Sequence, residues 1–152
     1  MRLRNIIALG LSVALGSAVI AVAAAGSLPW AFNAPAADGY SIKLISVEPT
    51  PGTPLVCGAK ISFKISVSYS MTIAKRGKIV LVFQDEKNES VKSDTSQVTQ
   101  EVTGTDGVAS LEQTVVVPPR AQELRVFIPL VPDGIANTTG EVTLRYPVVQ
   151  RR

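Results

Sequence analysis

Residues 61–71, "ISFKISVSYSM", alternate strictly between large apolar side chains and serine or lysine. A β-strand points successive side chains to opposite faces, so this period of two places every apolar residue on one face. A helix would scatter both sets around its axis. The stretch is therefore predicted to be a strand with one face in a core and the other in water. The predicted core face comprises Ile61, Phe63, Ile65, Val67, Tyr69 and Met71.

Further strands are predicted between proline and glycine turn signals along the rest of the chain. They cover residues 40–49, 78–85, 97–104, 108–119, 122–132 and 140–149. The stretch "KIVLVFQD" at 78–85 is apolar on both faces, which is typical of a central strand buried between layers. Pro129 predicts that its own strand lies near an edge or is bulged there.

About seven short strands with regular turn signals, and no helical period after residue 40, predict an all-β fold, an antiparallel β-sandwich. Two stretches, "VEPTPGTPLVCGAKISFKISVSY" and the closing "GEVTLRYPV", carry a family resemblance. With the strand count, they resemble the immunoglobulin-like and fibronectin type III-like modules of secreted and cell-envelope proteins over about residues 40–149. The resemblance implies an Ig-like sandwich.

The first residues predict export from the cytoplasm. "MRLRN" precedes an apolar run at residues 6–26, and no charged residue occurs between Arg4 and Asp38. Positive charge ahead of an apolar segment keeps the N-terminus in the cytoplasm and sends the rest across the membrane. The predicted domains are therefore residues 1–36, an apolar helix with a short linker, and residues 37–152, the sandwich. The predicted location is extracytoplasmic: periplasmic, cell-surface or secreted.

Two interpretations of the apolar helix remain open. A cleaved signal peptide would use the small residues of "AAA" at 23–25 or of "APA" at 34–36. An uncleaved anchor in the cytoplasmic membrane is favoured by a length close to the ~20 residues that span a bilayer. Trp30 and Phe32 would then lie at the membrane interface, where aromatic side chains are enriched.

Composition excludes several kinds of chemistry. The chain has no histidine and a single cysteine, so it can form neither an intrachain disulfide nor a multi-cysteine zinc site. Cys57 is predicted to be a small buried hydrophobe. No G-x-S-x-G or S-x-x-K motif supplies an activated nucleophile, so we expect no enzymatic activity and no cofactor.

Of the 15 basic residues, Arg2 and Arg4 precede the apolar run, and the others nearly balance the 12 acidic residues. Nucleic acid is therefore not an expected partner.

The candidate interaction residues are few. Lys75, Arg76 and Lys78 crowd a predicted turn and could contact anionic lipid or a carboxylate-rich partner, although a solvated hairpin tip explains them equally well. The acidic stretch at residues 85–94 fits a solvated loop better than a calcium site. No catalytic, cofactor or metal residue is predicted.

Two functions remain. The first is a non-enzymatic binding or adhesion module for a protein or glycan. The second is a membrane-anchored accessory subunit of a cell-envelope assembly. The serine and lysine row of the 61–71 strand is expected to stay wet, because partner-binding surfaces usually carry aromatic or arginine anchors.

Overall fold

A computed structural model of the chain describes residues 29–36, 38–91, 98–135 and 140–151. The helix predicted at residues 6–26 lies outside the described residues. Within the described part, no helix is long and apolar enough to cross a membrane. The described strands are β1 (Ala31–Asn33), β2 (Tyr40–Glu48), β3 (Leu55–Val56), β4 (Lys60–Met71), β5 (Arg76–Val80), β6 (Val82–Asp85), β7 (Thr99–Thr103), β8 (Asp106–Val116), β9 (Glu123–Pro132) and β10 (Gly140–Val149).

The strands form two sheets packed face to face. The smaller sheet has the order β2-β4-β8, and the larger has the order β1-β10-β9-β5-β7, with β3 pairing β10 and β6 pairing β9. All pairings are antiparallel except that of β3 with β10. The predicted all-β sandwich is therefore confirmed. All seven predicted strands are present, with β5 and β6 together forming the one predicted at 78–85.

The core lies between the two sheets and follows the period of two. In β4, buried and more exposed residues alternate from Phe63 to Met71, so the predicted core face is confirmed, with Ile61 half-buried at its start. Phe63 lies at the centre of the core, with its ring centroid 5.1 Å from that of Phe83 and 5.3 Å from that of Tyr146. Such tilted aromatic contacts add to the free energy gained by burying the rings.

The three tyrosines fix neighbouring turns to the core. Each is buried, and each hydroxyl bonds a backbone group distant in sequence, which a buried hydroxyl requires. Tyr146 donates to the carbonyl of Pro49 at 2.8 Å, and burial raises the pKa of Tyr146. The other two bonds join the Tyr69 hydroxyl to the carbonyl of Thr103, and the N–H of Ala74 to the Tyr40 hydroxyl.

The basic segment is placed differently from its prediction. Gly77 and Lys78 lie in β5, and the turn before it ends at residue 75. Gly77 is buried, and a Cβ there would lie 2.9 Å from the backbone oxygen of Val131. Glycine is therefore needed because β5 approaches β9 closely, and its role is not to form a turn.

The strand predicted at 78–85 is not covered by a third layer among the described residues. Its inward residues Ile79, Leu81 and Phe83 are buried, whereas Val80 and Val82 point outward and are half-buried. Pro129 is also not at an edge, because β9 pairs with β10 on one side and with β5 and β6 on the other. Proline has no N–H to donate, and the pairing of β9 is interrupted opposite it, between β5 and β6.

The sheet begins ahead of the predicted domain start at residue 37. β1 pairs with β10, and Ala34 donates its N–H to the carbonyl of Glu141 at 2.8 Å. The side chain of Asn33 accepts a bond from the N–H of Leu44 at 3.2 Å, which joins β1 to the smaller sheet. Residues 30–34 are therefore part of the folded structure.

Candidate binding face

The outer face of the larger sheet carries aromatic and arginine side chains in two neighbouring rows. Strand register places Phe32, Thr143, Phe127 and Val82 side by side across β1, β10, β9 and β6. The next row holds Arg145, Arg125 and Gln84, and the N–H of Arg145 bonds the carbonyl of Trp30 at 2.8 Å. We call the following residues the aromatic face: Trp30, Phe32, Val82, Arg125, Phe127 and Arg145.

The aromatic face continues into an apolar surface along β9. Pro129 and Val131 point outward from β9, Val80 points outward from β5, and all three are half-buried. At its other side, Trp30 and Phe32 are 44% and 51% exposed. The outer face of β9 is therefore apolar at Phe127, Pro129 and Val131, and Glu141 and Lys78 on the neighbouring strands lie opposite the last two.

Trp30 is held in place by the turn that follows β2. Gly52, with φ of +85°, lies directly under the indole ring, and a Cβ at this position would be 2.9 Å from two ring atoms. The guanidinium carbon of Arg145 lies 5.7 Å from the ring centroid, within range of a cation–π interaction. Only a glycine permits both the positive φ and the close approach of the ring.

Glu123 joins the two arginines of the aromatic face. Its carboxylate accepts a hydrogen bond from Arg145 and one from Nε of Arg125 at 2.7 Å. Burial alone would raise the pKa of Glu123, but the hydrogen bonds and charges of the two arginines outweigh it, so its pKa lies below the ordinary value. Arg125 also donates to Oδ1 of Asn88 at 3.2 Å. The guanidinium groups are therefore fixed before any ligand binds.

The acidic residues near this end serve the fold. The side chain of Asp85 accepts the N–H groups of Lys87 and Glu89 at 2.8 and 2.9 Å, which closes a turn. A bond from its own backbone N–H lowers the pKa of Glu86 most, and the N–H groups of Gln122 and Glu123, which the same carboxylate accepts, lower it further. Asp94 lies outside the described residues. Among those described, no three metal-binding side chains cluster.

The two sets of predicted interaction residues lie at opposite ends of the larger sheet. Arg76 begins β5, whereas Gln84, in the row of Trp30, is eight positions further along β5 and β6, or about 26 Å away. Arg76 forms an exposed ion pair with Asp133 at 3.9 Å, and Lys78 lies opposite Glu101 on β7. Lys75, Arg76 and Lys78 therefore do not form one surface with Trp30 and Phe32.

The outer face of the smaller sheet has the opposite character. Its β4 row is the predicted one of serine and lysine, half-buried or exposed, and Ser62 bonds the Glu112 carboxylate at 3.2 Å. Two apolar side chains, Ile45 and Val108, are exposed on this sheet. Only the larger sheet therefore presents aromatic anchors on its outer face.

The sequence singled out Trp30 and Phe32 only as possible membrane-interface residues, and it did not single out Arg125, Phe127 or Arg145. A signal was present, because residues 122–132 and 78–85 are apolar at both odd and even positions. The second apolar face of such a strand is expected to be covered, either by another layer of the protein or by a partner.

Cys57 is half-buried in the turn after β3, so its predicted burial is only partial. Its N–H donates to the carbonyl of Val149 at 2.9 Å, which helps to hold this turn against β10.

Comparisons with known proteins add no family. No protein-family model matches the chain. No curated protein matches it either. Among solved structures it is similar to a beta-glucosidase from Listeria innocua, at 15% identity and a TM-score of 0.40 over 74% of this chain and 16% of that one. It is also similar to the CARDB domain of a Pyrococcus furiosus protein, at 12% identity and a TM-score of 0.40 over 83% of this chain and all of that one. The chain thus spans about a sixth of the glucosidase chain, and likenesses this weak carry no argument about function.

Proposed function

We propose that the chain is an extracytoplasmic, non-enzymatic, immunoglobulin-like module that binds a protein or glycan through the aromatic face. The observation that carries this proposal is the contrast between the two outer faces. One has a row of serines and lysines along β4 and, among its described residues, no aromatic side chain, and the other presents Trp30, Phe32 and Phe127 beside Arg125 and Arg145. Tryptophan and arginine are enriched among the residues that dominate binding energy.

The strand order supports the immunoglobulin-like part of the proposal. In that fold, strands A, B and E share one sheet, and strands C, F and G share the other. Here β2, β4 and β8 form one sheet, while β5 with β6, β9 and β10 lie in the other. The order along the chain is also the same, except that β7, which follows β6 where strand D would be, pairs with β5 in the larger sheet.

The aromatic face is suited to binding because its anchors are held before a partner arrives. Trp30 rests on Gly52, and the arginines are fixed by Glu123. Ordering a flexible side chain costs roughly 0.5–1.5 kcal/mol on association, and anchors that are already fixed avoid most of that cost.

A second candidate is a membrane-anchored accessory subunit, and the position of Trp30 favours it. The apolar run ends at residue 26, just before Trp30, which lies at the margin of the aromatic face. If the run is retained as a membrane helix, this end of the sandwich lies next to the bilayer. Its partner would then be another membrane protein.

Site-specific photo-crosslinking in the native host tests the proposal. A photoreactive residue at Val82 should give a crosslinked species, whereas one at Ser68 should not. The two positions are matched because both are half-buried and point outward, and they differ in the sheet to which they belong. Phe127→Ala should weaken the captured complex by about 2 kcal/mol, or roughly thirtyfold in Kd. Crosslinks from Ser68 alone would assign binding to the smaller sheet and contradict the proposal.

The intact mass of the native protein separates the two candidates. A cleaved N-terminus favours a free binding module, and a retained one favours the anchored subunit.

A further inference from the structure

β8 is a long and regular strand at the edge of the smaller sheet. It pairs with β4 through eleven consecutive residue pairs, from Lys60 with Val116 to Ser70 with Asp106, without a register shift. Strands of this length and regularity present a straight row of backbone groups on the side that has no neighbour.

The backbone groups on the free side of β8 belong to its even-numbered residues. Val117 donates its N–H to Ala59 and accepts the N–H of Gly58, each at 2.9 Å, so odd-numbered positions bond toward β4. Because neighbouring residues in a strand direct their N–H and C=O groups to opposite sides, the even positions face the free edge. These positions are Asp106, Val108, Ser110, Glu112, Thr114 and Val116. Within the described residues, no backbone group bonds to them.

The other sheet edges in the described part of the chain are short or interrupted. β1, β3 and β7 have three, two and five residues. β2 has a register shift between Leu44 and Ser46, and the N–H of Leu44 is taken by Asn33. Bulges, prolines, charged side chains and short lengths are the usual protections of an edge, and of these β8 has only the acidic residues Asp106 and Glu112.

We propose that the free edge of β8 pairs with the β8 edge of a second copy of this chain. The pairing is antiparallel about a two-fold axis, and it joins two smaller sheets into one continuous sheet with the order β2-β4-β8-β8-β4-β2. This contact does not depend on the function proposed for the aromatic face.

Side-chain chemistry selects the register of this pairing. Core-facing residues must stay on the core side of the joined sheet. Only registers that place odd-numbered residues of one copy opposite odd-numbered residues of the other are therefore possible. In one such register Glu112 lies opposite Glu112 of the second copy, and in another it lies opposite Asp106 of the second copy. Both registers place like charges opposite each other, which is destabilising. With Leu111 on the two-fold axis, Ser110 lies opposite Glu112 of the second copy, and Val108 lies opposite Thr114.

This register also suits the surface of β8. Val108 is 63% exposed, and the methyl group of Thr114 from the second copy would cover part of it. With Ser110 on the axis, Val108 would instead lie opposite a charged Glu112. The outer face of the smaller sheet is electrically balanced, so two copies side by side do not repel. Its charges are Lys43, Lys60 and Lys64 against Glu48, Asp106 and Glu112.

Replacing the N–H of Ser110 tests the pairing. In Ser110→Pro the bonds to β4 remain, because that N–H points to the free edge, but a backbone donor is lost there and the ring obstructs an approaching strand. Sedimentation equilibrium of the mature native chain should give a dimer whose Kd rises at least tenfold in Ser110→Pro. Ser110→Ala keeps the N–H and should leave the Kd within about twofold. Circular dichroism checks that both variants are folded.

A disulfide test fixes the register and does not depend on the proline variant. In a Cys57→Ser background, Val108→Cys with Thr114→Cys places two thiols about 20 Å apart within one chain, too far to bond. Across the proposed axis their Cα atoms would be about 5.5 Å apart, so a disulfide-linked dimer should form. Ser110→Cys in the same background is the control, because it keeps Glu112 and places two thiols opposite each other only in the alternative register with Ser110 on the axis.

Three outcomes would overturn the proposal. The first is a chain that stays monomeric at roughly 100 μM, because a specific dimer would form at lower concentrations than this. The second is a dimer that Ser110→Pro leaves unchanged. The third is a monomeric chain whose complex with another protein is lost in Ser110→Pro, which would assign the edge to a strand from that protein.

Discussion

Gly52 and Trp30 show how a single backbone position shapes the aromatic face. Gly52→Ala should lower the free energy of unfolding by about 1–2 kcal/mol, because an L-residue at positive φ is strained. The new Cβ would also displace the indole, and Trp30 is the only tryptophan, so its emission should shift to longer wavelength. Gly58→Ala is the control, since its φ is +73° and its Cβ would meet no atom within 4 Å. Equal emission shifts in both variants would contradict the contact.

Glu123 predicts how stability depends on pH. Its pKa in the folded chain lies below the ordinary value of 4.5, so its contribution is present above that value and is lost as pH falls through the folded pKa. Glu123→Gln should cost about 2 kcal/mol at pH 7, the scale of a hydrogen bond to a charged group. Urea unfolding should show the difference from the native chain shrinking below about pH 4. A difference that stays constant down to pH 3 would mean that the carboxylate charge is not the cause.

At the scale of elements, β4 allows the sharpest comparison of two faces. Phe63→Ala should lower the free energy of unfolding by ~3–5 kcal/mol, because it removes a fully buried ring in contact with Phe83 and Tyr146. Ser66→Ala, on the outer face of the same strand, should change it by less than ~0.5 kcal/mol. Chemical denaturation of both variants measures this. Similar losses would mean that Ser66 is packed as tightly as the core.

The strands differ in how far their sequence predicts their surroundings. β4 and β10 alternate between apolar and polar, and that pattern is sufficient to assign both faces, whereas β8 breaks it with an exposed Val108 and a buried Gln113. β9 and β5 with β6 are apolar at consecutive positions, so the pattern predicts a strand but not what covers its second face. β1 could not be predicted, because three residues carry no period and their partner Val142 to Leu144 is more than a hundred positions away. The position of Arg145 over Trp30 depends on that same long-range pairing.

For the whole molecule, the two proposed surfaces do not compete. The aromatic face lies on the larger sheet, while the edge of β8 belongs to the smaller one. A dimer joined through β8 would present two aromatic faces at once. Two linked sites bind a repeated or clustered partner more tightly than either alone, provided that their spacing matches. Loss of the dimer should therefore weaken binding to a multivalent partner more than binding to a monovalent one.

The point at which the folded unit begins also bears on how the N-terminus is processed. Cleavage after "APA" at residues 34–36 would remove β1, Trp30 and Phe32, whereas cleavage after "AAA" at 23–25 would keep them. A chain starting at residue 37 loses the pairing of β1 with β10 and, besides the bonds within that ladder, the three hydrogen bonds made by Trp30, Asn33 and Ala34. At about 1 kcal/mol for each of those three bonds, it should unfold with at least roughly 3 kcal/mol less free energy than a chain starting at residue 29. Asn33→Ala in the longer chain removes one of them and should cost about 1 kcal/mol. Thermal and urea unfolding of the three chains measure the difference. If the two starting points unfold alike, β1 contributes nothing to stability, and cleavage after residue 36 would leave the sandwich intact.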